Sequence, residues 1–215
     1  MRITHLGHAC LLVELADERI LIDPGNFSGD FTTLRDLSAI LVTHQHPDHL
    51  DPDRFLDLVR GNPQAHLYTD PMSVQVCAGF GVQAAAYDGP VQLGEVTVTP
   101  HGELHALIHE ELPRITNMGV ALTAPGEPRF YHPGDALDAE PGEVDILAFP
   151  LNAPWQRSRD MAGFLRRINA PIAVPIHDGL LQRRGRELYL GHAEKFGGPD
   201  TRVRDLAGAG AVDLS

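Results

Sequence analysis

The stretch Ser38-Ala39-Ile40-Leu41-Val42-Thr43-His44-Gln45-His46-Pro47-Asp48-His49-Leu50 decides the reading of this chain. Ser38 to Val42 has the length and apolar content of a buried strand, so a rigid element ends where the histidines begin. Directly after it, four side chains able to ligate a metal fall within six positions. His44 and His46 are two apart, and in extended backbone they face the same way and can grip one cation. Pro47 fixes φ and lacks an N–H, which bends the chain and lets Asp48 and His49 point elsewhere, toward a second cation. Imidazoles with a carboxylate suit zinc, manganese or iron.

Working outward, the loop is pinned on its far side by a helix start, with Asp51 as cap, Pro52 at the first helical position and Leu50 placed to staple onto Phe55. Upstream, Ile20-Leu21-Ile22-Asp23-Pro24 ends a strand in a carboxylate. Downstream, Gly102-Glu103-Leu104-His105 follows a strand, Tyr131-His132-Pro133-Gly134-Asp135 places a Gly-Asp pair after another, and Ala173-Val174-Pro175-Ile176-His177 ends a strand in a histidine. Strand ends that converge on one rim hold a cluster more rigidly than scattered loops do.

The H-x-H-x-D-H motif after a buried strand, with these companions in this order, resembles the metallo-β-lactamase superfamily. The opening Thr4-His5-Leu6-Gly7-His8 resembles the start of its compact bacterial branch of metal-dependent hydrolases, which includes ascorbate-6-phosphate lactonase. The resemblance implies an αββα four-layer sandwich: two mixed sheets face to face, helices on both outer faces, and the site at one sheet edge. It also implies a ligand set: His44, His46 and His105 on a first metal, Asp48, His49 and His177 on a second, and Asp135 bridging them. Two divalent cations, zinc first with manganese or iron as alternatives, would share a water, lower its pKa and deliver hydroxide to an ester, lactone or phosphodiester. Asp48 and Asp135 are thus expected to take direct part in the chemistry. No serine or cysteine nucleophile is needed.

Composition bounds the answer independently. The 215 residues, 43% of them hydrophobic, are enough for one sizeable core, and nothing reads as a linker, so residues 1–215 are expected to form one domain. A formal charge of -12, from 17 basic against 29 acidic residues, disfavours nucleic acid and anionic membranes as partners. The N-terminal sequence is unlike a signal peptide, and no apolar run is long enough to span a bilayer. A cytoplasmic protein acting on a small molecule is the expectation. Cys10 and Cys77 lack metal spacing and are expected as buried, reduced thiols.

The remaining pattern alternates strands and helices. Ala9–Leu15 and Arg19–Asp23 read as a hairpin, Ala65–Thr69 as a strand, and Asp70-Pro71 as the opening of a helix stopped by Gly79 or Gly81. Short strands flank a Leu93-Gly94-Glu95 turn within 91–100, and Met118–Thr123 pairs with Arg129–His132. Met161, Phe164, Leu165 and Ile168 mark a helix over 158–168 capped by Ser158. A last helix covers about 186–196, with a short strand near Thr201–Leu206. The Gly/Ala-rich residues 207–211 read as a frayed end.

Several side chains carry secondary expectations. Asp23 is placed to accept the free N–H of a ligand histidine and fix its tautomer, and His8 and His132 are expected to support the ligands in the same way. Among His101, His105 and His109, spaced by four, His105 has the family's Gly-x-x-His form, and His109 is a candidate to line the pocket or shuttle a proton. His5, His66 and His192 are read as structural. Trp155 is expected as a pocket wall, and Arg114 or Arg157 as a contact for an anionic substrate group. Two other readings of the same ligands stay open: an iron oxidoreductase resembling sulfur dioxygenases, and a non-catalytic metal module. Seven ligand candidates exceed what a closed structural zinc site uses.

Overall fold

The apolar run before the metal loop is continuous rather than alternating because its strand is covered on both faces. A computed structural model describes residues 1–214. Its first sheet is built from β1 (Arg2–Gly7), β2 (Cys10–Leu15), β3 (Glu18–Ile22), β4 (Ala39–Val42), β5 (His66–Thr69) and β6 (Ala85–Ala86), with α1 (Phe55–Gly61) and α2 (Ser73–Gly79) in the connections after β4 and β5. Along β4, Ala39 and Leu41 face the interior between the two sheets, whereas Ile40 and Val42 face Phe55, Leu58 and Cys77 of the outer helices. Both faces are therefore apolar, as expected of a strand buried on two sides.

The second sheet repeats the plan. It contains β7 (Val91–Leu93), β8 (Val96–His101), β9 (Gly119–Thr123), β10 (Phe130–His132), β11 (Ile146–Pro150), β12 (Ile172–Ile176) and β13 (Arg202–Val203), with α3 (Ser158–Ile168) and α4 (Arg183–Phe196) outside. On β11, Ile146 and Ala148 point to the inter-sheet core, and Leu147 and Phe149 point to Met161, Phe164 and Leu165 of α3. In each sheet the early strands pair antiparallel and the later ones parallel: β1, β2 and β3, then β4 and β5, against β8, β9 and β10, then β11 and β12. The result is the αββα sandwich that the resemblance implied.

Local signals explain most boundaries. Asp51 Oδ1 accepts the N–H groups of Asp53 (2.8 Å) and Arg54 (3.0 Å), so it caps the turn leading into α1, four residues before regular helix begins at Phe55. Asp70 does the same for Met72 and Ser73 ahead of α2. At α3 the expected cap is displaced by one residue: Arg157 is the capping position, and Asp160 reaches back to accept its N–H at 3.0 Å. Two expectations are corrected. The last helix starts at Arg183, and the Gly/Ala-rich tail is no frayed end, because β14 (Ala211–Asp213) pairs antiparallel with β1 through Ile3↔Val212. Cys10 and Cys77 are both buried free thiols, and burial pushes Cys77 up to about 11. Among the described residues no helix is long and apolar enough to cross a membrane.

Candidate metal centre

Each chemistry-bearing side chain leaves the C-terminal end of a strand: His8 after β1, Asp23 after β3, the 44–49 cluster after β4, Asp135 after β10 and His177 after β12. His105 follows β8, held by a Leu104↔Thr116 bridge and by its own N–H to Ile115 O at 2.9 Å. Three of these residues, His8, Asp23 and His177, have left-handed backbone at φ 53°, 50° and 57°. Non-glycine residues seldom adopt this, and it costs on the order of 1–3 kcal/mol each unless neighbours enforce it. Here they do, because Asp23 N–H donates to Leu41 O (2.9 Å), His177 N–H to His8 O (2.8 Å), and His5 Nε2 to the same His8 carbonyl (2.9 Å).

Hydrogen bonds fix which nitrogen of each histidine faces the cluster. A carboxylate or carbonyl only accepts, so His49 Nδ1 donates to Asp23 Oδ2 (2.7 Å), His105 Nδ1 to Ala106 O (2.7 Å) and His177 Nδ1 to Asn152 O (2.7 Å). Each therefore turns its Nε2 inward. Thr43 donates its hydroxyl to Asp23 Oδ2 (2.7 Å) and its N–H to Asp23 Oδ1 (2.7 Å), leaving its oxygen to accept from His44 Nδ1 at 3.1 Å. His44 thus also faces inward through Nε2, 3.1 Å from His46 Nδ1.

Most of these inward atoms find no protein partner. His49 Nε2, His105 Nε2, His177 Nε2 and Asp135 Oδ1 are buried without a hydrogen bond. His49 and His177 nonetheless lie 3.2 and 3.1 Å from Asp135, and His105 lies 3.4 Å from it. The ligating atoms fall into compact groups: His44, His46 and His105; His44, His49 and Asp135; and Asp48, His49 and His177 with His8. Nitrogen and oxygen donors in this number fit divalent transition metals and leave more ligands than one tetrahedral ion takes.

His8 joins the last group by proximity, but its tautomer argues for another role. The Gly179 N–H donates to His8 Nδ1 (3.0 Å), so Nε2 carries the proton and donates to Asp48 Oδ2 (3.0 Å). His8 therefore orients Asp48. His132 hydrogen-bonds to no candidate ligand: its Nε2 donates to Ala9 O (2.9 Å), tying β10 to the first sheet, and its Nδ1 accepts from Gly134 N–H (3.1 Å) and lies 3.9 Å from Asp23 Oδ2. His109 is not brought to the site. It is exposed, and its Nδ1 accepts the Glu111 N–H, so the pocket and proton-shuttle expectation for it is withdrawn. His101 stays on β8, edge-on to Tyr131.

The carboxylates and imidazoles of the cluster shift one another's titration. Burial works against a charged His49, yet Asp135 and Asp23 outweigh it and hold its imidazolium well above the ordinary range. Burial likewise opposes ionisation of Asp135, but His177 and His49 keep it well below the carboxylate range. Burial and the nearby His49 push His44 down, burial and His105 push His46 down, and burial pushes His8 down to about 4 despite Asp48. A bound cation would take over the compensating role of the imidazolium.

Trp155, the only tryptophan, donates Nε1–H to Asp135 Oδ2 at 3.0 Å and stands edge-on to His105. It and the cluster open into a cleft of about 430 Å³. A cavity of similar size, about 470 Å³, lies between α3 and α4; its polar lining is Ser158, Arg159, Arg166 and His192, with no group of potential metal ligands among the described residues. Arg114 and Arg157 do not line the cleft: Arg114 donates to His105 O (2.9 and 2.6 Å), and Arg157 pairs with Asp160. Sequence reasoning missed Thr43, Asn117 and Gly25. Asn117 Oδ1 accepts the Asp135 N–H (2.8 Å) while its Nδ2 donates to Pro133 O. A Cβ on Gly25 would lie 1.8 Å from Asp48 O, so only glycine lets the two loops cross. The Asp23-Pro24-Gly25 turn was the available signal.

The family described as a beta-lactamase superfamily domain matches residues 2–177. Protein Rv0786c of Mycobacterium tuberculosis is 40% identical over 206 residues, covering 94% of this chain and 96% of its own. A UPF0173 metal-dependent hydrolase of Xanthobacter autotrophicus is 33% identical, covering 83% and 84%. The crystal structure of YhfI from Bacillus subtilis, a metallo-beta-lactamase fold protein, superposes with a TM-score of 0.71 at 16% identity, covering 94% of this chain and 95% of that one. This chain belongs to the beta-lactamase superfamily, with the metallo-β-lactamase fold.

Proposed function

We propose that the protein is a metal-dependent hydrolase whose centre takes two divalent cations, His44, His46 and His105 on one side, Asp48, His49 and His177 on the other, and Asp135 between. One observation carries this reading: His49 Nε2, His105 Nε2, His177 Nε2 and Asp135 Oδ1 are buried, unpartnered and aimed into one small volume. Leaving such groups unsatisfied costs on the order of 1–3 kcal/mol each, a cost a bound cation removes. The metal-dependent hydrolase named among the relatives supports the same reaction class.

Zinc is the first expectation from the donor set, with manganese or iron as alternatives. Bound there, two such ions would supply Lewis-acid activation of water and stabilisation of the developing oxyanion. The chain's residues do the rest. Asp23 holds His49 and, through Thr43, His44. His8 steers Asp48, and the Trp155 N–H occupies Asp135 Oδ2 and leaves Oδ1 free. Neither buried thiol can serve as nucleophile, which supports direct attack by water. A small ester, lactone or phosphodiester is the substrate class.

The test is a panel of esters, lactones, thioesters and bis(4-nitrophenyl) phosphate, offered to protein reconstituted with zinc or manganese. We expect turnover with at least one metal. Asp48→Ala and His177→Ala should lose it with the circular dichroism spectrum unchanged. Oxygen consumption by the iron-loaded protein with a persulfide, and no hydrolysis by any metal form, would replace this reading with an oxidoreductase.

A further inference from the structure

Among the described residues nine large apolar side chains are exposed, and three of them, Phe27, Ile108 and Leu180, line the cleft over the cluster. They come from three different loops, after β3, β8 and β12, and the loop after β11 adds Pro154 and Trp155. Leu107 and Leu112, also exposed, flank Ile108 on its loop. Four independent connections that each present apolar surface to one opening do not arise from core packing, because none of these side chains is needed there. An apolar wall with a few polar groups at its floor is the usual form of a small-molecule site, and exposed apolar patches of this kind mark contact surfaces.

Charge decides what the wall contacts. No lysine or arginine among the described residues lines the cleft. Arg114 lines a small adjoining hollow with His46, His105 and Ile108 but is held by His105 O, and Arg186 is held by Asp178 and Asp205. Asp48 and Asp135 are the only charged side chains in it besides the histidines. A substrate anion remote from the reacting bond would therefore lose water and gain no counter-charge. Resting on the hydrolase reading, we propose that the cleft binds a substrate whose portion beyond the scissile bond is uncharged and apolar, an aliphatic or aryl ester or lactone. Its hydrolysis breaks the acyl C–O bond, adds the water oxygen to the acyl carbon and returns a proton to the departing alkoxide. No oxidant or second substrate is consumed.

Trp155 makes occupancy of the cleft directly observable. The reconstituted protein is titrated with 1-butanol, 1-hexanol, 1-octanol and 8-hydroxyoctanoate, none of which can be hydrolysed, and Trp155 fluorescence is followed. Affinity should rise about threefold per methylene from butanol to octanol, and 8-hydroxyoctanoate should bind roughly tenfold or more weaker than 1-octanol. Ile108→Ser combined with Leu180→Ser, both exposed positions, should weaken 1-octanol roughly tenfold and leave 1-butanol and metal content unchanged. Equal affinity along the series, or 8-hydroxyoctanoate binding as tightly as 1-octanol, overturns the proposal. So does a double variant that alters the oligomeric state while the chain-length series stays intact, which would assign the apolar wall to a second copy of the chain. If the series behaves as expected and no member of the hydrolytic panel is cleaved, the reaction class fails and the binding preference stands.

Discussion

At the scale of single residues, the centre depends on neighbours that choose a tautomer. Asp23 touches no bare ligand atom, yet it holds the Nδ1–H of His49 and, through the Thr43 hydroxyl, that of His44. Replacing such a partner commonly costs about 10–100-fold in metal affinity. Asp23→Ala should fall in that range by competition with a chelator, and an unchanged affinity would remove Asp23 from the centre. His105 and His101 separate the same way: His105→Ala should lower metal content, whereas His101→Ala, on β8, should leave it intact. The reverse pattern would move the third ligand. Because Asp135 and Asp23 raise the proton affinity of His49 against the effect of burial, a proton on its Nε2 competes with a metal there. Calorimetry at pH 7 in buffers of different ionisation enthalpy should show release of about one proton or more per chain, and affinity should weaken as pH falls. Proton uptake, or affinity that rises toward acid, would contradict the tautomer assignment.

At the scale of elements, the strands and their chemistry-bearing ends were legible because period and punctuation agreed. Val42 to His44 marks where a doubly buried strand stops, and Asp51 caps the following turn by its own carboxylate. What stayed illegible depends on distant partners. The Gly/Ala-rich tail has weak strand propensity and becomes β14 only because β1 offers it an edge. His109 shares the spacing of His105, but the Leu104↔Thr116 bridge and the His105 N–H to Ile115 O hold His105, and not His109, in place. Gly25 is the sharpest case: the Asp23-Pro24-Gly25 turn marks a bend, but the crossing with Asp48 that demands glycine is a long-range contact. Gly25→Ala should cost about 1–3 kcal/mol or more in denaturant unfolding and lower metal content. Gly163→Ala, inside α3 with open space around it, should instead stabilise by about 0.5–1 kcal/mol. Equal effects at the two positions would refute the crossing.

At the scale of the whole molecule, two sheets of the same plan bring their strand ends to one rim. The first sheet supplies the 44–49 cluster and Asp23; the second supplies His105, Asp135 and His177. Neither half holds a complete set, so the centre is assembled by the inter-sheet core, where Leu41, Ile22, Ile146 and Val174 are fully or almost fully buried. This also explains why the ligand types were readable from sequence and the apolar cleft was not: Phe27, Ile108 and Leu180 are unremarkable in their own loops and meet only at the seam. In the proposed reading this seam holds two cations per chain. That occupancy is tested most directly by elemental analysis of metal per chain after reconstitution with zinc or manganese and removal of excess, on the wild type and on Asp135→Ala. Two ions are expected in the wild type and one or none in the variant. A stoichiometry near zero in the wild type, or two ions retained without Asp135, would contradict it.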